Sequence, residues 1–317
     1  MKHADRIRVV AGDPSASARS ALFASWARSL TRYKLDPLDS RPPRRLTDRE
    51  LHDARLEVEP LLSVAEATLD RLFQAVGGSG CCVLFTDCHG VPVDRRGACT
   101  DNDTFRRWGL WPGTVWSEEA EGTNGIGTCL AEARPLLIHR EQHFHSRNTG
   151  LSCAVAPIHD HLGRLVAALD VSSCREDLTE DVARLIASAV ADAARRIEAR
   201  HFSRSFPHAR IMMAPDTEWS AGALLAVGDD DLIVGATCAA RQSCGITDAK
   251  LARMLPAQSI LFPRLPDSEN LESAERGVLQ RALARSAGNV SAAAKALGVS
   301  RATLHRKLRR VGLGRAG

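Results

Sequence analysis

A chain of 317 residues with 44% hydrophobic content is long enough for two or three domains that each bury a core. It lacks any apolar run of about 18–20 residues, and its opening stretch MKHADRIRVVAGD is charged where a secretion signal is apolar, so neither a membrane span nor secretion is expected and the expected location is cytoplasmic. The formal net charge of +4 divides unevenly: residues 271–317 hold ten Lys/Arg against two Glu, a net of +8, which leaves −4 for residues 1–270 and suits only the tail to nucleic acid.

In residues 1–50, apolar Leu22, Trp26 and Leu30 recur every four positions and predict one helix over 15–33, followed by a proline-rich connector, LDPLDSRPPRRLTDRE. Residues 51–76 repeat the helical pattern through Leu61, Leu62, Ala65, Leu69, Leu72 and Phe73 up to the Gly77-Gly78 stop. The period then shortens. CCVLFTD (81–87) and VPVDRR (91–96) form an expected hairpin about Cys88-His89-Gly90, and PLLIH (135–139), SCAVAPIH (152–159) and LVAALDVS (165–172) are further strands, the last two joined by a loop at 160–163. A long helix to about residue 200 follows, with Asp177 and Glu180 as its expected capping box and Leu178, Val182, Leu185, Ile186, Ala189, Ala193 and Ile197 as its stripe. The fold class is therefore α+β, an antiparallel sheet flanked by helices.

WSEEAEGTNGIGTCLAEARPLLIHREQHF (116–144) and SCAVAPIHDHLGRLVAALDVS (152–172) resemble the GAF sensor domain of acetoin/glycerol-type bacterial transcriptional activators, over residues 61–200; SWARSLTRYKLDP resembles their N-terminal segment. The resemblance implies a six-stranded antiparallel sheet with a small-molecule pocket on one face, taking an alcohol, ketone or aromatic metabolite. Its candidate ligand-binding residues here are Trp116, Asn124, His139, His143, Phe144 and Cys153. The chain departs from the family at Leu151-Ser152, where an aromatic-polar pair is common, which bears on the pocket's shape. The glycine run 121–128 is neither a Walker A loop nor a dinucleotide fingerprint, and reads as a turn opening the helix that ends near Glu132.

His139, His143 and His145 with Glu141 and Cys153 are the residue types of a metal or redox site, but their spacing fits no standard zinc pattern, so no metal and no cofactor are expected and a metal or redox sensor is kept as the alternative. Cys81 and Cys82 are adjacent on a strand and point to opposite faces. Nine cysteines without a C-x-x-C pair read as reduced thiols, and none is paired with a base by a local motif, so the chain is not expected to be an enzyme.

Residues 206–266 contain a strand, an acidic turn at 229–231, a second strand and a short helix, similar to the opening half of a PAS domain, and read as a truncated PAS-like module or spacer ending in the loop LFPRLPDSEN. The last segment, 267–317, holds GNVSAAAKALGVSRATLHRKLRRVGL. Asn289 caps a short helix over 291–297, Gly298 makes the turn, Ser300 caps a second helix, and Leu304 and Leu308 form its apolar stripe. Five of the ten residues 301–310 are Arg or Lys. This all-α arrangement is a helix-turn-helix, and residues 271–313 resemble the Fis-type reader of bacterial enhancer-dependent activators. The candidate DNA-binding residues are Asn289, Ser300, Arg301, Thr303, His305, Arg306, Lys307, Arg309 and Arg310, with Ser300, Arg301 and Thr303 offered to base edges.

In that family the preceding helix, here 271–287, helps form the dimer, with Leu271, Ala274, Val278, Ala282 and Leu283 along one side. Full-length members place an AAA+ ATPase between sensor and reader, whereas this chain has about 70 residues there and no Walker A loop. The expected protein is thus a homodimeric, ligand-responsive regulator on a palindromic double-stranded operator, with RNA polymerase or a full-length activator as a further partner; the alternative is an ATPase-less modulator that pairs with such an activator.

Overall fold

The computed structural model describes residues 2–215, 222–262 and 271–313 and forms two compact units, 1–260 and 261–317. The domain limit placed between 266 and 267, and all of the loop LFPRLPDSEN after Phe262, lie outside the described residues.

The N-terminal segment folds as three helices, α1 (His3–Ala11), α2 (Pro14–Arg19) and α3 (Ala21–Thr31), rather than the single expected one. The break falls at Ser20, whose extended backbone (φ −144°, ψ 122°) restarts the chain. Only the second half carries the apolar repeat that docks, through fully buried Trp26. Helix α4 (Asp48–Val76) begins slightly earlier than its apolar pattern because Thr47 and Glu50 form a reciprocal capping box. It buries Leu61, Leu62, Ala65, Leu69 and Leu72.

The hairpin β1 (Cys81–Asp87) and β2 (Pro92–Arg96) turns about Gly90, at φ +80°, with the Asp87 carboxylate accepting from the His89 and Val91 amides at 2.9 and 2.8 Å. Then come α5 (Asn102–Arg107), α6 (Glu118–Glu121), α7 (Gly125–Glu132), β3 (Leu136–His139), β4 (Ser152–His159), β5 (Leu165–Ser173) and α8 (Glu180–Ser205). The sheet is antiparallel with order β2-β1-β5-β4-β3. It has five strands among the described residues, not the six implied: between β2 and β3 the chain is spent on turns, a 3-10 turn and three short α-helices. The cap of α8 also differs. Thr179 accepts from the Val182 amide, while Asp177 is drawn to Arg175 at 2.6 Å.

Alternation divides the sheet into two faces. Val83, Phe85, Ala154, Ala156, Leu169 and Val171 share one apolar layer with α4 and α8. Cys82, Leu84, Cys153, Val155 and Ala168 share the other with Ile126 and Cys129 of α7, Phe105 and Trp116. Cys81 and Cys82 fall on opposite sides, as adjacent strand residues must.

Beyond α8, a three-stranded antiparallel sheet of β6 (Arg210–Met213), β7 (Leu224–Val227) and β8 (Ile233–Ala236) precedes α9 (Cys238–Cys244), α10 (Asp248–Ala252) and α11 (Ala257–Leu261). β6 and the last two helices carry too little pattern to be read from sequence. The second unit is α12 (Leu271–Arg285), α13 (Val290–Ala296) and α14 (Arg301–Arg310) around Leu279, Ala282, Ala293, Ala294, Leu304 and Leu308.

Candidate functional sites

The α7 side of the sheet holds an unusual set of buried polar groups. Register places Cys82, Ser172 and Cys153 in one row across β1, β5 and β4, and Leu84, Asp170 and Val155 in the next. Above them sits the start of α7. A Cβ on Gly125 would stand 2.5 Å from Cys153 Cβ and 3.5 Å from Asp170 Oδ1, so only glycine lets the helix approach this closely. Asp170 is fully buried; Ser172 donates to its Oδ2 at 2.7 Å, and Oδ1 has no partner. Burial raises its carboxyl to about 7, against a smaller opposing pull from the Ser172 hydrogen bond. His143, also fully buried, faces Cys153 with Nε2 3.4 Å from the sulfur, while its Nδ1 lies 2.9 Å from the Arg140 carbonyl. Desolvation lowers His143 to about 4 and pushes the Cys153 thiol up, so both are neutral at pH 7.

Of the candidate ligand residues, the fold brings together His143, Cys153 and, in the same layer, Trp116, whose indole N–H donates to the Gly109 carbonyl at 2.9 Å. The others are engaged elsewhere. Asn124 caps α7, accepting from the Gly127 amide and donating to the Gly122 carbonyl, both at 2.9 Å. His139 lies on an edge strand, with Nδ1 2.8 Å from Ser152 Oγ. Phe144 packs with Ile7 and Trp26 beneath the N-terminal helices. Nor do His139, His143, His145, Glu141 and Cys153 converge: no group of three or more His, Cys, Asp or Glu able to hold a metal exists among the described residues. A cleft of about 490 Å³, open to solvent, lies between α4 and β2 and is lined by Leu51, Arg55, Arg95 and Trp111; Arg95 also lies over the Phe105 ring of the α7-side layer, 5.1 Å from its centroid.

The N-terminal helices close over this region. Ser25 donates to Glu118 at 2.8 Å and lies 2.6 Å from Thr123 Oγ1, while Arg28 bridges Glu118 and Glu132, each at 2.7 Å. The Trp26 indole N–H donates to the Gln142 carbonyl at 2.8 Å. Asp170, Ser172 and this network were missed in the sequence. A carboxylate inside the otherwise apolar run LVAALDV was the available signal for Asp170.

In the second unit, Gly298 (φ +66°) makes the turn between α13 and α14. Asn289 accepts from the Ser291 and Ala292 amides, and Ser300 from Thr303, so these side chains hold helix ends. Leu304 and Leu308 face inward, leaving Arg301, His305, Arg306 and Arg309 exposed. Lys307 and Arg310 both pair with Glu275 of α12, which offsets their charge.

Residues 60–197 match the GAF domain model and residues 270–310 that of the bacterial regulatory proteins of the Fis family. The chain joins a GAF domain to a Fis-family reader. It is homologous to the acetoin catabolism regulatory protein of Cupriavidus necator, 33% identical over 67% of this chain and 32% of that protein. The acetoin dehydrogenase operon activator AcoR of Bacillus subtilis is 29% identical over 50% and 26%, and the propane 2-monooxygenase operon activator MimR of Mycolicibacterium smegmatis 32% identical over 37% and 20%. The matched part thus spans about a third or less of the length of these relatives. The E. coli DhaR(N)–DhaL complex superposes with a TM-score of 0.50 at 14% identity, covering 72% of this chain and 76% of that one, a likeness of fold. Among the described residues no helix of the GAF domain or elsewhere is long and apolar enough to cross a membrane.

Proposed function

We propose that this protein is a ligand-responsive, sequence-specific DNA-binding regulator of transcription, acting as a homodimer on a palindromic operator. The exposed cationic face of α14, set on a helix-turn-helix, carries the reading. Arg301 stands at the start of the helix, where side chains reach base edges, and Arg309 at its end, where they reach phosphate. Leu271 (90% exposed), Ala274 and Val278 (43%) leave a stripe on α12 for a second copy. Two readers so joined fit half-sites about one helical turn apart.

Arg301→Ala is expected to relax base preference by roughly 1–3 kcal/mol, whereas Arg309→Ala weakens all sequences alike and lowers the salt slope by about one. Arg310, already paired with Glu275, contributes less than Arg309. Anisotropy titrations on selected and scrambled duplexes read this; an unchanged preference in Arg301→Ala refutes the base-reading role.

The effector we infer is a small alcohol, ketone or aromatic metabolite, in keeping with relatives named for acetoin and propane operons. It sits between α7 and the sheet, where Asp170 Oδ1 takes a hydroxyl donor and apolar Ile126, Val155 and Trp116 take the carbon frame. Because the layer is packed, entry requires α7 to move. At about 100 times its Kd such a ligand adds about 2.7 kcal/mol to the folded state. A thermal-shift panel of these compounds on the full chain should give one or more clear rises in Tm; a flat panel rejects the class.

A second reading is a modulator that pairs with a full-length activator. It rests on the interval between α8 and α12, which holds a small three-stranded module in place of an ATPase. Transcription by polymerase alone, compared with transcription that adds the enhancer-dependent sigma factor and an activator, separates the two.

A further inference from the structure

Where the proline-rich connector meets the end of α5, a cleft of about 440 Å³ is lined by Pro42 and Pro43 of the connector and by Arg107, Trp108, Arg147 and Asn148. That volume suits a small organic molecule. Glycines let its walls close up: a Cβ on Gly150 would stand 2.9 Å from Trp108 Cη2, and one on Gly109 3.3 Å from Pro43 Cγ. Asn148 is 3% exposed, and its Nδ2 makes no hydrogen bond among the described residues, although it lies near enough to Glu121 to draw on that carboxylate. Arg147 gives Nη2 to Glu121 Oε2 at 2.5 Å, while its Nε and Nη1 are buried without a partner. Arg107 is exposed, donates to Thr104 Oγ1 at 3.4 Å and is in no ion pair among the described residues. No acidic side chain lines this cleft among the described residues.

We propose that the cleft binds a small organic carboxylate with a flat apolar frame, an aromatic acid. Buried N–H groups without an acceptor are costly, and an oxyanion satisfies several at once. The carboxylate oxygens accept from Asn148 Nδ2 and the free Arg147 N–H groups, Arg107 supplies the opposing charge, and the ring lies against Trp108 and the two prolines. Inorganic phosphate has the charge but leaves those apolar walls uncovered. An alcohol or ketone brings no charge to Arg107. The chemistry is thus the inverse of that beside Asp170, where the protein offers an acceptor, and none of Ile126, Val155, Trp116 and Asp170 lines this cleft. Trp108 nevertheless packs against the α7-side layer, so the two sites share a wall.

Isothermal titration of the full chain with sodium benzoate, benzamide and inorganic phosphate, at matched ionic strength, tests this. Benzoate should fill one site per chain with a Kd of about 1 mM or tighter. Benzamide, with the ring and no charge, and phosphate, with charge and no ring, should each bind at least about tenfold more weakly. Arg107→Gln, at an exposed position, should weaken benzoate at least about tenfold with Tm unchanged, whereas Arg164→Gln, at an exposed cation on the β4–β5 loop, should leave it as it was. Full benzoate affinity in Arg107→Gln would place the acid elsewhere, the layer beside Asp170 included, and overturns the proposal. So does equal binding of benzamide, binding of phosphate as tight as benzoate, or no saturable uptake of benzoate up to about 10 mM.

Discussion

Trp26→Ala should release the N-terminal helices from the GAF domain and lower stability by about 3–5 kcal/mol, the range for emptying a large aromatic site. The indole is fully buried against Ile7 and Phe144, and its N–H satisfies the Gln142 carbonyl at 2.8 Å. Truncation therefore opens a cavity and orphans an acceptor at once. Ser25 and Arg28, on the same helix, would lose the geometry of their bonds to Glu118. Limited proteolysis should then cut within residues 2–46 well before the sheet, with a reduced Tm. Trp26→Phe keeps most of the packing and should cost much less. Equal protease resistance in Trp26→Ala and the unaltered chain would show that the helices are held by other contacts.

Asp170→Asn should remove a pH dependence of stability. The folded protein binds a proton at this carboxyl up to about pH 7, whereas the unfolded chain releases it near the ordinary carboxylate value of about 4. Between those limits the folded state holds more protons, so this group's contribution falls as pH rises from about 4 to about 7 and stays lost above. Over that interval the loss amounts to roughly 4 kcal/mol. Asparagine fills the same space without charge and keeps an acceptor for Ser172. Urea unfolding should find the variant more stable at pH 8 and little changed at pH 4. The difference between the two proteins is what counts, because Asp177 and Glu180, held below their usual values by Arg175 and Arg184, tilt both curves the opposite way. Parallel curves would mean that Asp170 has a partner or water in solution.

Local features were legible in the sequence. The reader was, because its caps at Asn289 and Ser300, its Gly298 turn and its Leu304–Leu308 stripe each act within a few residues. Strands β1, β4 and β5 were, because buried strands are apolar runs between turns. What escaped depends on distant partners. Trp26 meets Gln142 across 116 positions, and no periodicity reports that. Glu275 is an ordinary helix-surface acid until the fold sets Lys307 and Arg310 against it. The sixth strand was implied by family likeness and not by any run of residues between 97 and 134, which holds short helices instead. Phe144 and His143 were grouped as neighbours in sequence, yet one faces the N-terminal helices and the other the sheet.

The central strand β5 gives the two sides of the GAF domain a common wall one peptide thick. Ala168, Asp170 and Ser172 look toward α7, and Ala167, Leu169 and Val171 look toward the layer that contains α4 and α8. A wall that thin has no slack. A ligand that shifted the strand beside Asp170 would therefore bear on Leu169 and Val171 as well, and through their shared layer on α8, which at 1.5 Å per residue over its 26 residues extends some 39 Å.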